Sequence, residues 1–344
     1  MNKTVLMTAT IASLAVNVMA ANNNTLVGTG NNITATSHSS LVSGYQNTIN
    51  ANNALAFGTN NTVTGENGFA GGNNATAAGR NSFAFGSHAE SLVEYTVAIG
   101  NQARTASYDS VAIGNGAFVS GESSVAFGRT NNVTGENSVA IGANNGTVAG
   151  GQSAVVGYNN KIGADKEQLV FGSNSEANAQ GTLVFGTHAK SLAIDAVAFG
   201  NNTIADQANS VAIGTNSVTD SAVGVDGITI NGTKHVFAGE QPASVVSFGS
   251  KARAGAGGVT QYNRQLTNVS AGQISADSLD AVNGSQLFAA IDEIETNAKQ
   301  ISKNKKNIKD VAIGLNMLGD VVNDHEQAIA GNTTAIANNT NRIN

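Results

Sequence analysis

Between residues 21 and 220 the apolar positions recur in one short phrase. Ser110-Val111-Ala112-Ile113-Gly114 returns as Ser124-Val125-Ala126-Phe127-Gly128, Ser138-Val139-Ala140-Ile141-Gly142 and Ser210-Val211-Ala212-Ile213-Gly214. The closing glycine falls at Gly30, Gly44, Gly58, Gly72, Gly86, Gly100, Gly114, Gly128, Gly142, Gly157, Gly172, Gly186, Gly200 and Gly214. Eleven of those thirteen steps are 14 residues and two are 15. A fixed short period predicts a stack of repeats.

Within the phrase bulk alternates. Val111 and Ile113 face one side of a strand and Ala112 the other. Phe57, Phe85, Phe127, Phe171, Phe185 and Phe199 take the Ile slot in other copies, and the opposite slot is Ala from Ala56 to Ala212 in most. A second short segment follows, whose third and fifth positions are mostly small or apolar, such as Ile33 and Ala35, Ala103 and Thr105, Ala117 and Val119. Gly, Asn, Asp and Ser then close the repeat as a turn. Each repeat reads as strand, turn, strand, turn, which stacks into an all-β parallel β-roll roughly 65 Å long at the usual strand spacing. So thin a coil cannot bury both the bulky column and the Ala column. One of them packs against other chains, so an oligomer is expected.

Residues 221–286 break the period. Gly227-Ile228-Thr229-Ile230-Asn231-Gly232 predicts a strand and an Asn-Gly turn, and Ser244-Val245-Val246-Ser247-Phe248-Gly249 echoes the repeat once more. From Leu287 the period changes to seven: Ile294, Ile301, Ile308, Leu315, Val322, Ile329, Ile336 and Ile343 follow without a break. That pattern is a coiled coil, here spanning roughly 85 Å. With these residues at a, the d positions are Ala290, Asn297, Asn304, Val311, Leu318, His325, Asn332 and Asn339. The opposite register would bury Lys305 and Glu326, so the Asn seam is preferred. Asn in a seam costs stability but fixes register and oligomer state.

Composition narrows the class. The chain has 344 residues with 40 Gly, one Pro, no Cys and 12% charged residues at a net charge of −6. Glycine without a Gly-X-Y period excludes collagen, and regular apolar phrases argue against disorder. No basic patch supports nucleic-acid binding. Residues 1–20 are expected to be a secretory signal peptide, with Lys3, an apolar run from Val5 to Val16, and a cut at Ala20/Ala21.

No catalytic constellation emerges, so no enzyme is expected. His88 and His188 share one turn slot, which predicts exposed turns, and His325 would form a ring of three in a trimer. The Asn-rich turns follow from tolerance of positive φ. The loop Ala254-Gly255-Ala256-Gly257-Gly258 lacks the strand–helix setting of a phosphate site.

Three features together resemble the trimeric autotransporter adhesins, the YadA-like family of Gram-negative surfaces. They are the Ser-Val-Ala-Ile-Gly phrase at its period, a neck-like pair of segments, and the Asn seam. The neck segments are Arg264-Gln265-Leu266-Thr267-Asn268-Val269-Ser270-Ala271-Gly272 and Asp280-Ala281-Val282-Asn283-Gly284-Ser285-Gln286-Leu287. The resemblance implies a left-handed parallel β-roll head over residues 21–220, a connector and neck over 221–286, and an α-helical trimeric coiled-coil stalk over 287–344. It also implies a homotrimer exported to the bacterial surface. The implied partners are host matrix proteins such as collagen, fibronectin or laminin, and sister cells in autoaggregation. No cofactor is implied beyond chloride or another anion in the stalk core at Asn297, Asn304, Asn332 and Asn339. Residues 287–344 contain none of the alternating strands of the family's C-terminal membrane anchor. Outer-membrane attachment is expected only where such an anchor exists. A phage-type or secreted trimeric fibre is the alternative reading.

Overall fold

The computed structural model describes residues 19–20, 23–34, 36–255 and 258–344. Most of the expected signal peptide, Ala35, and Ala256-Gly257 of the glycine loop lie outside the described residues. The described chain divides into two units: one holds the residues up to Asp226 together with Glu240–Gln265, the other Gly227–Gly239 and Leu266–Asn344.

The first unit is a parallel β-roll. One coil runs from the strand Val125–Arg129 through a turn at Thr130 (φ 55°) to the strand Asn132–Val133, then a turn at Asn137 (φ 53°). Both turns need a left-handed residue, which accounts for Asn at Asn60, Asn74, Asn53 and Asn67. One wall is a 16-stranded sheet, parallel from Asn24–Thr29 onward, with Met19–Ala20 added antiparallel at its edge. The facing wall is a 9-stranded and a 4-stranded sheet. They part where the two 15-residue steps fall. Asn131 and Asn145 stay in register through their side chains, but Asn132 pairs with Thr147, so Gly146 is the extra residue.

The register is in phase across the whole wall: Ala98, Ala112, Ala126 and Ala140 stand side by side. At the start it departs from the expected spacing. Gly28, not Gly30, pairs with Gly44, so the first coil has 16 residues. Position in the ladder depends on what stacks, and Asn31 beside Asn47 pins this coil two residues earlier. At the other end the sheet gains a strand beyond residue 220. Val211 and Ala212 pair with Val246 and Ser247, so the phrase at Ser244–Gly249 resumes the wall after an excursion. Within that excursion Gly227–Ile230 and Thr233–Val236 form the expected hairpin.

The choice between the two columns is resolved. Ala56, Ala84, Ala98, Ala112, Ala126, Ala140, Ala198 and Ala212 are wholly buried and meet the far wall of their own coil. The bulky column faces out: Phe85 and Phe127 are 50% and 53% exposed. Beside the Ala column the core carries polar ladders. Asn47 Oδ1 accepts from the Asn61 backbone N–H at 2.9 Å and from Asn61 Nδ2 at 2.9 Å, while Asn47 Nδ2 donates to the Gly58 carbonyl at 2.8 Å. Asn131, Asn145 and Asn160 repeat this pattern, and Ser124, Ser138 and Ser153 form a shorter version in which each Oγ takes the next coil's backbone N–H. Each amide is satisfied inside the roll, as a buried polar group must be.

The second unit contains the helix Gly284–Ile343, 60 residues long. Asn283 caps it, and Gln286 Oε1 accepts from the Asn283 N–H at 3.1 Å to complete a capping box. The two neck-like segments meet at this point. Asn283 Nδ2 donates to the Val269 carbonyl at 3.1 Å and Gln286 Nε2 to the Gly272 carbonyl at 2.7 Å. No helix of the described residues is long and apolar enough to cross a membrane.

The ladder predicts a local cost. Asn47→Ala strips partners from the Asn61 amide and the Gly58 carbonyl, a penalty of about 2 kcal/mol. Hydrogen exchange at the Asn61 amide should rise by roughly 30-fold, because 1.4 kcal/mol is about tenfold. Exchange near Ala140 should not change, since stacked repeats interact only with their neighbours.

Candidate adhesive faces and stalk seam

The roll presents two unlike faces. The 16-stranded wall turns its bulky column outward as a continuous apolar strip. Phe69 and Phe83 stack at 4.6 Å between ring centroids, and Phe171 and Phe185 stack at 5.1 Å. In-register parallel strands place like residues side by side, so a repeated Phe or Ile becomes a ladder. An exposed apolar strip of this length marks an interaction surface.

The opposite wall is polar. Its outward column runs Thr48, Thr62, Thr76, Glu90, Arg104, Phe118, Asn132 and Thr147 in successive strands. Arg104 Nε lies 2.8 Å from a Glu90 carboxylate oxygen, and its guanidinium sits 5.5 Å over the Phe118 ring. The 4-stranded sheet continues with Lys161, Glu176 and Lys190. Lys161 Nζ is 2.7 Å from Glu176 Oε1, and Lys190 Nζ is 3.3 Å from Oε2. The hydrogen bond from Lys161, with help from Lys190, holds the Glu176 carboxyl below its ordinary value of 4.5, against the opposing effect of partial burial.

His88 takes the expected exposed turn position, at φ 57°, with Nδ1 3.0 Å from its neighbour Ser87 Oγ. His188 occupies the same slot at φ 56°. Among the described residues no group of three or more His, Cys, Asp and Glu is placed to hold a metal.

On the helix, Ile294, Ile301, Ile308, Leu315, Val322, Ile329 and Ile336 lie solvent-exposed at heptad spacing, from 48% to 70% exposed. Asn297, Asn304, His325, Asn332 and Asn339 are exposed on the same helix. Asn304 Oδ1 accepts from Gln300 Nε2 at 2.9 Å. Thr333 and Thr340 donate to the Ile329 and Ile336 carbonyls at 2.8 and 2.9 Å, one turn back. An unbroken apolar seam on an isolated helix is unsatisfied until other helices cover it.

Sequence reasoning missed the buried Asn column. It read the third and fifth positions after the glycine as mostly small or apolar and assigned Asn to the turns. Asn31, Asn47, Asn61, Asn131, Asn145 and Asn160 are interior ladder residues instead. The signal was present: in all but the first of these coils, Asn stands three residues after the closing glycine.

The chain thus combines a β-roll of alanine-cored repeats with a long heptad helix. A family model for the YadA head domain repeat matches residues 50–75, 64–89, 94–117, 120–145 and 192–217. A second, for the coiled stalk of trimeric autotransporter adhesin, matches residues 265–310. The matched segments are similar to the head repeats and the coiled stalk of YadA-like trimeric autotransporter adhesins. Autotransporter adhesin BtaE of Brucella suis is 44% identical over 84 residues, which are 24% of this chain and 10% of that protein. The chain thus matches about a tenth of that relative's length. Among solved structures, a C-terminal YadA-like domain from Burkholderia pseudomallei is similar at 33% identity and a TM-score of 0.28, over 38% of this chain and 50% of that one. The collagen-binding domain of the Yersinia adhesin YadA is similar at 26% identity and a TM-score of 0.30, over 58% and 84%.

The Glu176 cluster yields a pH prediction. A carboxyl held below its ordinary value stabilises the fold above pH 4.5, and that contribution is lost as the pH falls through the lower folded-state value. Lys161 is largely solvated and Lys190 about half exposed, so the effect is small. Glu176→Gln should cost at most about 1 kcal/mol at neutral pH. Thermal melts of the two proteins from pH 7 downward should show their difference shrinking below pH 4.5.

Proposed function

We propose that the chain is a non-enzymatic bacterial surface adhesin that works as a parallel homotrimer. The observation that carries this reading is the pair of uncovered apolar seams. The Phe and Ile strip of the head and the Ile seam of the stalk both need the same partner, and further copies of this chain supply it. Three chains covering both seams leave the Thr and charge ladders as the outward surface.

Adhesion then follows from repetition. One coil offers a few polar groups and a weak contact. A row of in-register coils, multiplied by three chains and by many molecules on a cell, offers many weak contacts at once. Extended matrix proteins are themselves repetitive, which makes collagen, fibronectin and laminin the candidate ligands, with sister cells as a homotypic partner. The relatives' naming as autotransporter adhesins supports export to the cell surface. In the stalk, Asn297, Asn304, Asn332 and Asn339 would form amide layers that take chloride or another anion. Their spacing along the heptads supports this reading.

The test is binding of the purified trimer to immobilised collagen, fibronectin and laminin, with albumin as control. The expected result is saturable binding to at least one matrix protein that weakens at least tenfold when the chain is made monomeric. Binding to none, together with no clumping of cells displaying the chain, would refute the adhesive role.

A further inference from the structure

Every coil but the last has a successor that takes up its backbone carbonyls. Along the 16-stranded wall, the carbonyl of the bulky slot accepts from the next coil's glycine, as Phe185 does from Gly200 and Phe199 from Gly214. The carbonyl after the glycine accepts from the next left-handed turn, as Thr187 does from Asn202 and Asn201 from Asn216. After Gly249 the chain makes no further coil. It turns instead into an antiparallel hairpin, Ser250–Gly255 against Gly258–Tyr262, in which Ser250 pairs with Tyr262. Arg264 follows two residues later.

Its guanidinium lands on the end of the wall. Nη1 donates to Ser217 Oγ at 2.9 Å and to the Phe248 carbonyl, and Nη2 donates to the Thr215 carbonyl. Phe248 stands in the bulky slot, next in register after Ile213, and Thr215 directly follows the wall glycine Gly214. These are the two kinds of carbonyl that a next coil would have bonded. Gly214 gives the fork its seat. It adopts φ 97°, and a Cβ there would lie 2.9 Å from Arg264 Cζ.

We propose that Arg264 is the terminal cap of the β-roll, its planar fork standing in for the backbone donors of the missing coil. Geometry favours arginine: five N–H donors in one plane can meet several carbonyls at once, whereas an ammonium offers a single point. The cap also addresses a hazard of repeats. A stack of like coils ends in an edge that matches the start of another stack, and an open edge of this kind invites strand addition. With Arg264 seated, the Phe248 and Thr215 carbonyls are occupied and that part of the edge is closed. The inference is independent of what the head adheres to.

Hydrogen exchange on the full chain, read peptide by peptide, tests the cap. In Arg264→Met, which keeps the stem but removes the donors, the Val211 and Val218 amides should exchange at least tenfold faster. Amides of the coils between Val97 and Ala140 should be unchanged. Arg264→Lys should fall between the two. Protection equal to wild type in the Met variant would overturn the proposal, and so would full protection in the Lys variant. If Arg264→Met does not fold, as judged by circular dichroism, Ser217→Ala removes one acceptor of the guanidinium together with the Oγ donation to the Ile213 carbonyl. It should raise exchange at Val218 by about threefold, and no rise there would overturn the proposal equally.

Discussion

The structure depends on the width of one coil. Two short strands facing each other across a 14-residue circuit leave room between them for an Ala or Val and an occasional Asn or Ser. Ile49 and Gln168 are the largest side chains it wholly buries, and no aromatic ring is buried among the described residues, so the bulky half of the phrase is turned outward. The interior is close-packed but small, and most of the apolar mass sits on the outside of the wall. A molecule built this way has a stable register and an unsatisfied surface at once.

Register comes from the narrow interior. Identical small residues stack in phase, and the Asn and Ser ladders add bonds that form only between equivalent positions. A slip by one residue would turn an inward Asn amide outward and a Phe inward, where it cannot fit. This explains why the first coil can hold 16 residues: what matters is that Asn31 meets Asn47, and two more residues in a turn are tolerated. It also explains why the wall can be left after Gly214 and regained at Val246. The ends are handled differently from the middle, since the final coil has side-chain donors beneath it where the others have backbone.

Much of this was legible from period and bulk alone. The alternation in Val111-Ala112-Ile113 gave the strand and its two faces, and the seven-residue spacing from Leu287 gave the long helix. Three things were not legible, each because they depend on what stacks upon what. Whether Ala or Phe faced inward required the distance between walls. Asn61 in the ladder and Asn60 in the turn are adjacent and of one type; the recurrence of Asn three residues after the glycine marks a column, but that the column points inward shows only in φ angles and partners. Arg264 belonged to a neck-like motif, and its reach to Thr215 and Phe248 spans residues the period does not cover.

The central claim is that the coil's narrow interior exports its bulky residues to a surface that other copies must cover. The most direct measurement is the mass of the purified chain by light scattering, compared with that of a variant carrying Phe85→Ser, Phe127→Ser and Phe199→Ser on the exposed strip. The account predicts three chains per particle for the wild type, and for the variant a weakened trimer whose β-roll is intact by circular dichroism. A wild-type monomer at micromolar concentration, or a variant that unfolds the roll itself, would contradict it.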